Sequence, residues 1–204
     1  RQRQMCIRDR AYTNMTSDIL KARSDAKLNQ GQNFSRLMSF AMYGPKSPAT
    51  NLLTEAELTN MNPQELVDRI HNQNSYKHRI LYYGPSSSKD LLATINQYHQ
   101  VPAALKDIPA GNEYAYLETP VTKVLVAPYD AKQIYMAQIS NLDKKYDPAI
   151  EPIRALYDEY FGGGMNSIVF QEMRETRGLA YSAWASIMPP SYLKYPYVCL
   201  LYTS

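Results

Sequence analysis

The chain has 204 residues, 22 basic and 19 acidic, for a formal charge of +3. Residues 1–10 contribute four of the arginines and one aspartate, so without them 18 of each sign remain and the body is neutral. A neutral body gives no electrostatic ground for binding nucleic acid or a membrane surface.

The two ends are read first because neither is expected to be native. The chain opens Arg1-Gln2-Arg3-Gln4-Met5-Cys6-Ile7-Arg8-Asp9-Arg10 and closes Cys199-Leu200-Leu201-Tyr202-Thr203-Ser204. The closing peptide can be encoded TGTCTCTTATACACATCT. The reverse complement of that word, entered two bases in, encodes Met5 to Asp9 in order. One inverted nucleotide word therefore accounts for both ends, and it resembles the transposase end sequence used to build sequencing libraries. Residues 1–10 and 199–204 therefore carry no expectation about the native fold. Both cysteines, Cys6 and Cys199, go with them. The body then has no disulfide and no thiolate nucleophile. No signal peptide or long apolar span is present, but the native N-terminus is expected to lie outside the sequence, so the compartment stays open.

Residues 11–43 read as helical, with Ile19, Leu20, Leu28, Phe34, Leu37, Met38 and Met42 at helical spacing and Gly31 as a weak interruption. Pro45 and Pro48 stop that run. Thr54 and Asn62 each predict a helix start, the second reinforced by Pro63 and Glu65. Leu66, Val67 and Ile70 give the second helix its apolar face. Arg79–Tyr83 predicts a strand, and Ser88 the cap of a helix carrying Leu91, Leu92, Ile95 and Tyr98. Residues 100–113, with Pro102, Pro109 and Gly111, predict a linker between domains. Beyond it, 121–126 predicts a buried strand through Val121, Val124 and Val126, and 133–140 its neighbour. Asp147-Pro148 opens a helix with Ile150, Ile153, Leu156, Tyr157 and Tyr160 on one face. Gly162-Gly163-Gly164 ends that helix as a permissive break. A further helix has Met165, Ile168, Val169 and Met173 on one stripe, Gly178 as its terminal glycine, and a strand from Leu179 to Ile187 after it. This order predicts an α+β fold, with helices on one face of a mostly antiparallel sheet.

His71, His78 and His99 show no glutamate and second histidine at the spacing that aims two imidazoles at one metal. The glycine triplet lacks the following Lys-Ser/Thr of a phosphate loop. Arg174 follows Met173 and so points about 100° away from it. It lies with Phe170, Gln171 and Ser167, off the apolar stripe. Tyr181 is expected to share a strand face with the small Ala183 and Ala185. By themselves these two residues read as structural, an arginine paired with a glutamate and a core tyrosine.

The segment Tyr160-Phe161-Gly162-Gly163-Gly164-Met165-Asn166-Ser167-Ile168-Val169-Phe170-Gln171-Glu172-Met173-Arg174-Glu175-Thr176-Arg177-Gly178-Leu179-Ala180-Tyr181 resembles a motif of the M16 (insulinase/pitrilysin-like) zinc metallopeptidases. In that family a glycine break precedes a helix ending in Arg-Glu, and Gly-Leu-Ala-Tyr enters a strand. Weaker resemblance covers 11–198, with Tyr76–Pro85 like the closing strand of a preceding homologous domain. The resemblance implies four related α+β domains in two halves that close around a peptide. It makes residues 11–99 the end of the third domain and 114–198 the front of the fourth. The zinc motif of such enzymes lies in the first domain, outside this sequence, so zinc is expected in the full-length protein and none in this chain. The implied partners are a peptide substrate and the missing N-terminal half. The implied substrate-binding residues are Arg174 and Tyr181, with no catalytic residue in the chain. Endopeptidase action on peptides is the implied activity of the whole protein, and this chain alone is expected to be inactive. The alternative is a non-catalytic M16-like partner or structural subunit.

Overall fold

Local capping chemistry sets most of the helix boundaries. The computed structural model describes residues 2–190 and 194–204, with side chains from Asp9 onward. Helix α1 spans Gln2–Ala26 and α2 spans Gln30–Tyr43. Asn29 caps α2 by accepting from Gln32 N at 2.9 Å, so Gly31 falls in a first turn instead of interrupting a longer helix. Helix α3 (Glu55–Asn60) starts with a reciprocal box: Thr54 Oγ1 accepts from Glu57 N, and Glu57 Oε2 accepts from Thr54 N at 2.7 Å. Those bonds, the backbone one first, hold the Glu57 carboxyl below its ordinary range. Asn62 caps α4 (Pro63–Asn72) through Gln64 N. The cap of α5 (Ser88–Tyr98) is Ser87, one residue before the expected Ser88.

Two expected strands are absent. Residues 79–83 are irregular, with Leu81 and Tyr83 exposed, and 121–126 are irregular, with Val121, Val124 and Val126 exposed. A β-prone run becomes a strand only where a partner takes its backbone groups, and neither run has one. Near the first run there is only an isolated parallel bridge between Tyr76 and Lys106.

The sheet has three strands: β1 (Met136–Lys145), β2 (Ala183–Met188) and β3 (Pro196–Thr203), ordered β1-β3-β2 and antiparallel throughout. Ile139 pairs with Leu200, and Ala185 with Leu201. The 133–140 expectation is met in part, since β1 starts at Met136 and runs on to Lys145. Residues 199–203 form most of β3, and residues 2–10 lie within α1.

Asp147 caps a 3₁₀ turn (Pro148–Ile150) that leads into α6 (Glu151–Asp158) and then a π-helical turn (Glu159–Gly163). Ser167 caps α7 (Ile168–Phe170), which continues as a π-helical stretch over Gln171–Thr176. Val169, Ala183 and Ala185 form the buried centre, with Phe161, Met173, Ala180 and Leu201 packed on it.

The apolar face of α6 is not the side that packs. Ile153, Leu156 and Tyr160 are 70%, 72% and 67% exposed, and the polar side faces β2. Asp158 accepts from Arg154 Nη1 at 2.6 Å, Ser186 Oγ at 2.9 Å and Ile187 N at 2.8 Å. Arg154 Nη1 also donates to Ile187 O at 2.9 Å. The glycines explain the close docking. None of Gly162, Gly163 and Gly164 has a positive φ, so conformational freedom is not their role. A Cβ on Gly162 would lie 2.2 Å from Ala185 O, so the bare backbone rests directly on β2.

The chain divides into two units: residues 1–20 with 53–112, and 21–52 with 113–204. The first holds most of α1 with α3, α4 and α5. The second holds α2, α6, α7 and the sheet, in an α+β arrangement. Among the described residues no helix is long and apolar enough to cross a membrane.

Candidate functional site

Arg174 sits on the π-helical stretch after α7, which ends at Gly178 with φ of 60°. Gly178 N donates to Arg174 O at 3.1 Å, and Leu179 N reaches back to Met173 O at 2.8 Å. No atom stands within 4 Å of a Cβ built on Gly178, so this glycine is needed for its left-handed backbone alone. Met173 goes into the core and Arg174 turns away from it, as the helical spacing predicts.

The expected strand face does not extend to Tyr181. The strand begins at Ala183, and Ala183 and Ala185 are buried whereas Tyr181 is 76% exposed. Both Tyr181 N and Ser182 N donate to Ser204 O, at 2.8 and 3.1 Å. The regular alternation stops there, and the tyrosine ring swings outward over the arginine.

The two residues meet. Arg174 Cζ is 4.8 Å from the Tyr181 ring centroid and 4.9 Å from that of Phe170. The guanidinium is thus stacked by two rings, with the side chain still 37% exposed. Each such cation–π contact contributes about 0.5–1 kcal/mol at an exposed site. An ion pair from Arg174 Nε to Glu175 Oε1, at 3.5 Å and solvent-exposed, adds little. The contact leaves the guanidinium, a planar fork of N–H donors, partly exposed beside an exposed tyrosine. Such a fork can bind a carbonyl or carboxylate oxygen. Phe170 was placed beside Arg174 by its i,i+4 spacing, but its part as the second stacking ring is visible only in the structure.

The histidines are less scattered than their spacing implies. His78 Nε2 and His99 Nε2 lie 2.7 Å apart in the first unit, while His71 is in the last turn of α4. An intervening helix and 21 residues of sequence hid this pair. Among the described residues no three of His, Cys, Asp and Glu converge, so the donor set does not fit a three-ligand catalytic zinc.

No family model matches the sequence, and no curated protein matches it. A solved structure does: the crystal structure of a peptidase M16 inactive domain from Pseudomonas fluorescens. It is 20% identical with a TM-score of 0.62, over 95% of this chain and 46% of that one. The likeness is one of fold, and the chain spans about half the length of the structure it matches.

Proposed function

We propose that the chain is part of an M16-type zinc metallopeptidase, from the half without the zinc site, and that Arg174 and Tyr181 hold the peptide substrate. The fold likeness to a peptidase M16 inactive domain and the dense motif over residues 160–181 support the family assignment. The observation that carries the site is the solvent-facing stack. Tyr181 is 76% exposed against a partly exposed guanidinium, so the polar ends of both are open to a ligand. In this reading the Arg174 fork and the Tyr181 hydroxyl hold oxygens of the bound peptide and so orient the scissile bond. The metal belongs to the missing N-terminal half, and no residue of this chain takes a proton in the reaction. Residues 11–99 and 114–198 are then the end of one M16-type domain and the front of the next. Residues 1–10 and 199–204 are foreign sequence.

The solved neighbour is an M16 domain described as inactive, and this favours a second reading, a partner subunit without turnover. Peptide hydrolysis by the full-length protein loaded with zinc separates the two. Hydrolysis that falls in Arg174 and Tyr181 variants supports the first reading. Peptide binding without hydrolysis supports the second.

A further inference from the structure

His78 and His99 meet outside the stacked pair, and their geometry is specific. The ring centroids are 4.9 Å apart with planes at 88°, and the Nε2 atoms are 2.7 Å apart. His78 Nδ1 is 2.6 Å from Tyr76 O. A carbonyl only accepts, so His78 carries its proton on Nδ1 and presents a bare Nε2. A second nitrogen bonded to a backbone carbonyl is how metal-ligating histidines are oriented. His99 is the C-cap of α5, anchored by its N–H to Ile95 O at 2.8 Å. In the free protein its Nε2–H donates to His78. Two cations flank His78, Lys77 and Arg79, and the pairing of Lys77 with Asp107 at 2.6 Å offsets the repulsion of an incoming cation by the first of them.

We propose that His78 and His99 form a two-imidazole site for a divalent cation, Cu(II) ahead of Zn(II) in the order of affinity for nitrogen ligands. The 2.7 Å between the two nitrogens is a hydrogen-bond separation, and it places both imidazoles within reach of one ion. The His99 N–H now points at the His78 lone pair, so binding requires that proton to leave Nε2 and the His99 ring to turn until both nitrogens address the metal. His78 is exposed and His99 half-buried, so no core packing opposes that turn. The His99 proton moves from Nε2 to Nδ1 through solvent, two metal-bound waters leave, and no proton is lost overall. With two protein ligands the remaining positions stay with water. The site is therefore separate from the zinc chemistry of an M16 enzyme and does not rest on the peptide-contact reading.

The test is titration of the chelator-treated chain with copper sulfate at neutral pH, followed by electron paramagnetic resonance. The expected result is one saturable Cu(II) per chain with nitrogen hyperfine coupling. That signal should be lost in His78→Ala and in His99→Ala and retained in His71→Ala, with circular dichroism unchanged in all three. Absence of saturable copper in the unmodified chain overturns the proposal. So does copper binding that survives both substitutions, or zinc bound as tightly as copper.

Discussion

The Arg174 guanidinium carbon lies 4.8 Å from the centre of the Tyr181 ring, with Phe170 against it at 4.9 Å. Residues from a helix end and a strand entry are brought together by the one-residue left-handed turn at Gly178. Stacking requires a planar cation, and a lysine ammonium neither stacks in the same way nor offers a fork. Arg174→Lys should therefore fail to rescue function. In the full-length protein it should lower kcat/KM nearly as far as Arg174→Ala, by roughly 10-fold or more, corresponding to one charge-assisted hydrogen bond. The melting temperature should move little, because each exposed cation–π contact is worth only about 0.5–1 kcal/mol. A lysine variant with unchanged kcat/KM would show that only a positive charge is needed there.

Gly162 should be the least replaceable residue of the glycine triplet. An alanine Cβ would stand 2.2 Å from Ala185 O and 2.3 Å from Ala185 N, both backbone atoms of β2 that cannot move alone. Gly162→Ala should destabilise the second unit by about 1–3 kcal/mol or more. At Gly164 the nearest atom is the mobile Glu159 Oε1, at 3.3 Å, and the backbone is extended. Gly164→Ala should be close to neutral. Urea denaturation of the two variants checks this. Equal costs would return the triplet to a role in backbone freedom.

Acid should loosen the contact between α6 and β3. The Glu151 carboxyl is held below its ordinary range, first by the hydrogen bond from Tyr197 OH at 2.7 Å and then by Arg154. A depressed folded-state pKa stabilises the fold above the unfolded carboxylate value of about 4.3, and that stabilisation is lost as the pH falls through the lower folded value. Melting temperature measured against pH should therefore drop on acidification below this range, and Glu151→Gln should flatten part of the slope. An identical slope in the variant would show that the carboxylate is not linked to folding.

The parts of the fold legible in sequence were those set by near neighbours. The capping box of Thr54 and Glu57, the Asn62-Pro63 start, the Asp147 cap and the Gly178 turn depend on residues within a few positions, and all form. Strands at 79–83 and 121–126 were misread because a strand exists only where a distant segment pairs with it. The apolar stripe of α6 was legible, but not the side that packs. Periodicity identifies a stripe, whereas its burial depends on what Gly162, Arg154 and Asp158 do against β2. At the candidate site, the spacing put Arg174 off the core stripe. The outward swing of Tyr181 was hidden because it arises where the regular strand begins, at Ala183.

The central claim is that the Arg174–Tyr181 pair touches substrate. Tyr181→Phe tests it most directly, because the variant keeps the ring, and with it the stack on Arg174, and removes only the hydroxyl. The measurement is kcat/KM for peptide hydrolysis by the full-length protein, paired with its melting temperature. The account predicts a loss on the order of 1–3 kcal/mol in transition-state stabilisation with unchanged stability. Unchanged kcat/KM with lowered stability would contradict it and make Tyr181 a packing residue.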